Sequence, residues 1–228
     1  AYEICSRDWE FRRVLFRSVL PKKSSLITDS GLIELILPSN MAFKEEQRSI
    51  HPKSQGAMGV ALPAIIGVHY SSNNPVVCVV GDGSIMMNIQ ELITISYKQI
   101  PAKIFVINNN SYAVIRKRMK EMFRNRTIGT DYTDGVGTPE FKKIADSFEF
   151  QYVKIESSDD LENKINSVLS MDGAVLCEIM GLEDQNFIAS GHTKDSSKRI
   201  VLRPIEDQKP FLHRDLFLSE MIVKPICQ

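Results

Sequence analysis

The sequence has no excess of either charge, no long apolar run and few cysteines, and each absence removes a class of function. Lys plus Arg and Asp plus Glu number 28 each in 228 residues, so no global field draws the chain to nucleic acid or to an anionic membrane. No apolar stretch reaches the roughly 18 residues a membrane span needs. The N-terminal residues carry arginines without a continuous apolar core and do not read as a secretory signal. Cys5, Cys78, Cys177 and Cys227 show no CxxC spacing. Cys78 and Cys177 lie inside apolar runs, where buried reduced thiols are expected, and a reducing cytoplasm fits that state. The four histidines, His51, His69, His192 and His213, lack ligand spacing and read as surface or internally satisfied residues. What remains is 43% hydrophobic and 25% charged, a globular composition long enough for one substantial α/β domain.

Residues 1–20 hold the only Trp and show no clean period. Within them Arg12-Arg13-Val14-Leu15-Phe16-Arg17-Ser18 resembles a translated sequencing adapter, so the segment is read as non-native or linker and set apart from the fold. From there an orderly alternation begins. Strands are expected at 25–29, 76–80, 104–107, 151–155 and 174–179. Helices are expected at 60–69, 85–98, 140–148 and 158–169, the last opened by a Ser/Asp cap, and a short amphipathic segment at 32–37. Pro63 falls early enough in its helix to be tolerated. Ile85, Ile89, Leu92 and Ile93 are expected on one buried stripe. The strands at 76–80 and 104–107 are wholly apolar, as strands covered on both faces are. The expected fold class is therefore α/β: three layers, a mostly parallel sheet with helices on both faces, and an irregular C-terminal tail. The domain is placed at residues 21–183, with a polar tail at 184–228 packed on it. There is no internal repeat.

Two strand ends carry the chemistry. Val79-Val80 runs into the glycine turn Gly81-Asp82-Gly83-Ser84, and the strand at 104–107 ends in Asn108-Asn109-Asn110-Ser111-Tyr112. One helix-sized segment lies between them, so Asp82 and Asn109 sit at the ends of parallel neighbours. In open α/β sheets ligands bind beyond the carboxyl ends of the strands. Gly81 and Gly83 let backbone approach a ligand. Ser84 is expected to open a helix whose N–H groups suit a phosphate. Asp82, the Asn109 amide oxygen and a backbone carbonyl near Ser111 suit the oxygen ligation of Mg²⁺. By themselves these residues leave open a different α/β protein that binds a nucleotide diphosphate. That rival calls for a lysine-bearing phosphate loop, and no GxxxxGKS or GxxxxGKT run occurs.

The turn and the Asn triplet together resemble the thiamine-diphosphate-binding signature. Upstream, Gly56-Ala57-Met58-Gly59-Val60-Ala61-Leu62-Pro63-Ala64 is similar to the Gly-x-Met-Gly-x-x-Leu-Pro-Ala run of the same family. Residues 24–182 look like the C-terminal, diphosphate-binding domain of acetolactate synthase-like enzymes. The resemblance implies thiamine diphosphate and Mg²⁺ as cofactors and leaves FAD open. It implies that Asp82 and Asn109 ligate Mg²⁺ by side chain and Ser111 by its main-chain oxygen. Gly83 and Ser84 would bind diphosphate oxygens, with Gly81 and Asp82 beside them among the cofactor-binding residues. The Gly56 carbonyl would accept from the aminopyrimidine, and Met58 would prop the cofactor into its bent shape. The substrate implied is a 2-oxo acid, the reaction a decarboxylation or carboligation.

In this family the acid that activates the aminopyrimidine belongs to a separate pyrimidine-binding domain, usually of the partner subunit. Nothing in residues 1–50 resembles it, so the catalytic acid is expected outside this chain. The chain is expected to be a fragment of a longer enzyme, or half of a two-chain one, inactive alone and working as a homo-oligomer. A non-catalytic cofactor-binding subunit and a simple 2-oxo acid decarboxylase are the alternatives. Asn110 departs from acetolactate synthase itself, where acidic residues commonly follow the Asn pair. Met86 and Met87 read as core. Arg116, Lys117, Arg118 and Lys120 read as a solvated face, with an anion-binding role as the alternative. The segment 204–212 resembles, more loosely, tails of acetolactate synthase-like proteins linked to surface-polysaccharide pathways.

Overall fold

The computed structural model describes residues 19–41, 43–52, 55–184, 192–194, 199–203, 207 and 212–222. The adapter-like string, Cys5, Cys227, Ser54 and most of 204–212 lie outside the described residues. The chain divides into two compact units, Ala1–Gln185 and Asn186–Gln228.

The first unit is built on a six-stranded sheet. Its strands are β1 (Ser25–Thr28), β2 (Arg48–Ile50), β3 (Val76–Gly81), β4 (Lys103–Asn108), β5 (Gln151–Ile155) and β6 (Val175–Met180). They lie in the order β2-β1-β3-β4-β6-β5, and every pairing is parallel. Successive side chains of a strand point to opposite faces, so the wholly apolar central strands feed two cores. On one face Cys78, Val80, Ile104 and Val106 pack with Leu62 and Ile65 of α2 (Ala61–Ser71), and with Phe141 and Ala145 of α6 (Phe141–Ser147). On the other, Val77, Val79, Phe105 and Ile179 pack with Ile33 and Leu37 of α1 (Leu32–Asn40) and with Ile165 and Val168 of α7 (Leu161–Ser170). The three layers are as expected. Phe105 is fully buried at the centre, where truncation to Ala costs about 3–5 kcal/mol.

The strand order creates the place for a site. From β1 the chain crosses to β2 on one side, and the next strand, β3, lies on the other side of β1. The connections therefore diverge between the carboxyl ends of β1 and β3. That divergence opens a crevice where ligands of such sheets bind.

Several local expectations need correction. The single helix expected over 85–98 is broken into α3 (Asp82–Ile85), a 3₁₀ turn (Met86–Asn88) and α4 (Glu91–Tyr97). A 3₁₀ turn has three residues per turn rather than 3.6, which rotates α4 relative to a continuous helix. Ile95 takes the buried place expected of Ile93, which is 55% exposed. Met87 is 48% exposed rather than core. α7 starts at Leu161, and Asp160 before it is left-handed (φ 55°) with no side-chain cap hydrogen bond. Strand β2 and helix α5 (Ala113–Met122) were not expected.

The second unit holds an antiparallel pair, β7 (His192–Lys194) and β8 (Ile200–Leu202), and a short helix, α8 (Arg214–Glu220). These elements were not anticipated in the tail. Arg214 donates to Asp207 at 2.7 Å and stacks over Phe217. Among the described residues no helix is long and apolar enough to cross a membrane.

Candidate functional site

Three strand ends converge on one cavity. At the end of β1, Asp29 is fully buried. Its Oδ1 accepts from Ser30 N at 2.9 Å, and its Oδ2 from Gly59 N at 3.0 Å and Ala61 N at 3.2 Å. The carboxylate thereby satisfies amide donors at the start of α2, as a capping acid does, and ties the turn carrying Gly56 and Met58 to β1. Gly59 O accepts from Asn88 Nδ2 at 2.7 Å. Gly59 has φ +90°, and a Cβ there would stand 2.7 Å from that of Met87. Only glycine fits, and the turn is held at both ends of that peptide.

At the end of β3, Gly81 leads into Asp82, whose Oδ1 accepts from Gly83 N at 2.9 Å. Asp82 is 6% exposed, and its Oδ2 makes no hydrogen bond with any described residue. Burial pushes its pKa up to about 6, against the backbone amides of Gly83, Asn110, Ser111 and Asn109, which hold it lower. A Cβ on Gly83 would run into the ring of Tyr112. The Ser84 hydroxyl donates to Ser30 O at 3.2 Å, joining the ends of β3 and β1. Because α3 is only four residues long, the macrodipole expected behind Ser84 is small.

At the end of β4, Asn108 turns inward. Its Nδ2 donates to Glu178 Oε1 at 2.6 Å, and its Oδ1 accepts from Asn110 N at 3.0 Å. Glu178 also accepts from the Tyr152 hydroxyl. With Asn110 in the left-handed region (φ 55°), the chain reverses and sets Asn109 and Ser111 at the cavity. Asn109 Oδ1 accepts from Ser111 N at 3.3 Å. The Ser111 hydroxyl is buried without a hydrogen-bond partner among the described residues.

All of Gly56, Met58, Gly81, Asp82, Gly83, Ser84, Asn109 and Ser111 line a single cavity of about 370 Å³. Met58 stands at its edge, 39% exposed. The lining holds two carboxylates, Asp82 and Glu34, and no Lys or Arg among the described residues. An anionic ligand here must therefore bring or share its own positive charge. No group of three or more His, Cys, Asp or Glu among the described residues could hold a metal unaided. Mg²⁺ asks for less, one or two protein oxygens plus phosphate and water. The orphaned Asp82 oxygen, the Asn109 amide and the Ser111 turn fit that demand.

The basic run does not line this cavity. Arg116 is only 14% exposed and pairs with Asp131 and Glu183, and Lys120 pairs with Asp184 at 2.6 Å. At these two positions α5 is latched rather than solvated. His51 is internally satisfied, as expected, through Thr28 and Glu34.

Asp29, Glu34 and Glu178 were missed. Glu178 had a readable signal, a lone carboxylate inside the apolar strand Val175-Leu176-Cys177-Glu178-Ile179. Asp29 and Glu34 follow a short strand whose place beside β3 no local pattern reveals.

Residues 29–179 match the family model described as thiamine pyrophosphate enzyme, C-terminal TPP binding domain. Among curated proteins the chain is 32% identical over 160 residues to the acetolactate synthase isozyme 2 large subunit of Escherichia coli, a match covering 70% of this chain and 29% of that protein. It is 28% identical over 170 residues to the acetolactate synthase large subunit of Cyanidium caldarium, covering 74% of this chain and 28% of the relative. The corresponding subunit of Haemophilus influenzae is 30% identical over 162 residues, 71% of this chain and 28% of its own length. The chain thus spans under a third of the length of each of these three relatives. The crevice at the β1, β3 and β4 ends lies within the matched residues, and the chain belongs to the thiamine pyrophosphate enzyme family, as an acetolactate synthase-like C-terminal TPP-binding domain.

Proposed function

We propose that this domain holds thiamine diphosphate through a magnesium ion and serves an acetolactate synthase-like enzyme acting on a 2-oxo acid, by carboligation or decarboxylation. The observation behind this is the buried, unpartnered Oδ2 of Asp82 in a cavity without a basic side chain. A buried carboxylate oxygen left alone is costly, and a shared divalent cation offsets that cost while neutralising a diphosphate. Asp82 and the Asn109 amide oxygen would ligate the ion by side chain and Ser111 by its main-chain oxygen. Gly81, Gly83 and Ser84 let the diphosphate approach the backbone, with Tyr112 closing the wall over Gly83. The Gly56 carbonyl would accept from the aminopyrimidine, and Met58 would supply an apolar prop. When bound, the cofactor supplies the nucleophilic carbon that attacks the substrate carbonyl, and the protein supplies orientation.

The acid that activates the aminopyrimidine would come from a pyrimidine-binding domain of the same protein type, in the manner of a homo-oligomer whose domains face each other across the cofactor. By this reading the 228 residues bind the cofactor but do not turn over substrate unaided. The buried free thiols of Cys78 and Cys177 are in keeping with a reducing cytoplasm. Isothermal calorimetry tests the binding step. Thiamine diphosphate should bind with Mg²⁺ present, and Asp82→Ala should weaken it about 100-fold, equivalent to about 2.7 kcal/mol. Equal affinity in EDTA, or wild-type affinity in the variant, would remove the metal from the site.

A further inference from the structure

Glu34 is the second carboxylate of the cavity, and the expected cofactor roles leave it unused. It stands in the first turn of α1. Its Oε1 lies 3.4 Å from His51 Nε2, while His51 Nδ1 lies 2.9 Å from the Thr28 hydroxyl. An ionised carboxylate only accepts, so the tautomer that suits both contacts has its N–H at Nε2, toward Glu34, and Nδ1 as acceptor from the Thr28 hydroxyl. The contacts Thr28–His51–Glu34 therefore run from the buried β1 strand, past the end of the edge strand β2, to the cavity, with one carboxylate oxygen facing the ring. The other, Oε2, points toward Gly56, 3.8 Å from where a Cβ on that residue would stand. The Glu34 side chain is 31% exposed and that of His51 15%, so the carboxylate is reachable while its support is not.

The two carboxylates face different company. Asp82 shares its part of the cavity with Gly83, Asn109 and Ser111, where a cation and diphosphate fit. Glu34 shares its part with Gly56, and no basic side chain lines either part. We propose that Glu34 is a specificity-determining residue that engages the cationic, N–H-donating organic portion of thiamine diphosphate, aimed by His51 and Thr28. The inference rests on the cofactor reading above. A carboxylate held in a partly closed cavity favours a positively charged heterocycle over a neutral one and accepts from an amino group. A plain structural clamp between β2 and α1 is the competing role for the same residues.

The two roles separate in a binding experiment on the full chain with Mg²⁺, titrating thiamine diphosphate and inorganic pyrophosphate in parallel. Glu34→Ala should weaken thiamine diphosphate by about 10- to 100-fold, the range for a hydrogen bond to a charged group, and leave pyrophosphate within about twofold. Glu34→Gln, which keeps the shape, should show a smaller loss with the same selectivity, and it serves if the Ala variant does not fold. His51→Ala should lower thiamine diphosphate affinity in the wild-type background and add nothing to Glu34→Ala. Equal weakening of both ligands, or unchanged thiamine diphosphate binding in both Glu34 variants, would overturn the proposal. Loss of both ligands from the wild-type chain would instead overturn the cofactor reading beneath it.

Discussion

Glu178→Leu is the substitution whose cost follows most directly from the packing beneath the site. Glu178 is 6% exposed and accepts two hydrogen bonds, from Asn108 Nδ2 at 2.6 Å and from the Tyr152 hydroxyl. Leucine keeps comparable bulk and removes both acceptors. A buried donor left without a partner costs about 1–3 kcal/mol. Asn108 is buried and bears that cost in full, whereas half-buried Tyr152 can turn its hydroxyl to water. Removing the carboxylate also relieves its desolvation, which offsets part of the loss. The net expectation is a destabilisation of about 1–2 kcal/mol, read as a lower urea midpoint at unchanged m-value. Glu178→Gln keeps one acceptor for Asn108 and should cost about 1 kcal/mol. Asn108 Oδ1 also holds Asn110 N, so both variants should weaken Mg²⁺-dependent cofactor binding without touching the cavity. A change under about 0.5 kcal/mol in the Leu variant, with binding intact, would refute the idea that this network positions Asn109.

Other consequences are as open to measurement. Gly83→Ala must displace the Tyr112 ring, so it should cost about 1–3 kcal/mol and weaken cofactor binding, and the Tyr112→Ala background should relieve part of both effects. Arg116→Met removes the partner of Asp131 and Glu183. It should lower the thermal midpoint at low salt, with the gap narrowing as ionic strength screens the charges, and a gap independent of salt would argue for packing alone. Burial raises the pKa values of Cys78, Cys177 and Tyr152. The folded chain therefore keeps protons that the unfolded chain releases above about pH 8.5 for thiols and about 10 for tyrosine. Stability should hold below the first of those values and fall as pH rises beyond it. Tyr152→Phe should flatten the steeper part above about pH 10, and a urea midpoint independent of alkaline pH would contradict this.

Strands β3, β4 and β6 are legible in the sequence because their apolar runs match burial on both faces. The turn at Gly81–Ser84 and the Asn triplet are legible because strand ends with glycine and amides are local features. Strand β2 is not, because Arg48, Ser49 and Ile50 are largely exposed and become a strand only through pairing with β1. Helix α5 is hidden for a similar reason. Its polar sequence shows a basic run, while its anchors, Asp131 and Glu183, are remote along the chain. Ile93 was misplaced because a 3₁₀ turn resets helical phase in a way that periodicity does not record. The largest omission concerns the β1 end. Glu34 lines the cavity, and Asp29 supports it from below, only because β1 lies beside β3, and strand order is a property of the assembled sheet.

Where the metal sits can be seen directly. The chain crystallised with thiamine diphosphate and Mn²⁺ in place of Mg²⁺ should give one anomalous peak within about 2.5 Å of both Asp82 Oδ2 and Asn109 Oδ1, with the diphosphate against Gly83. A peak away from those two oxygens, or a diphosphate bound elsewhere with Asp82 still unpartnered, would contradict the assignment of this crevice as the cofactor site.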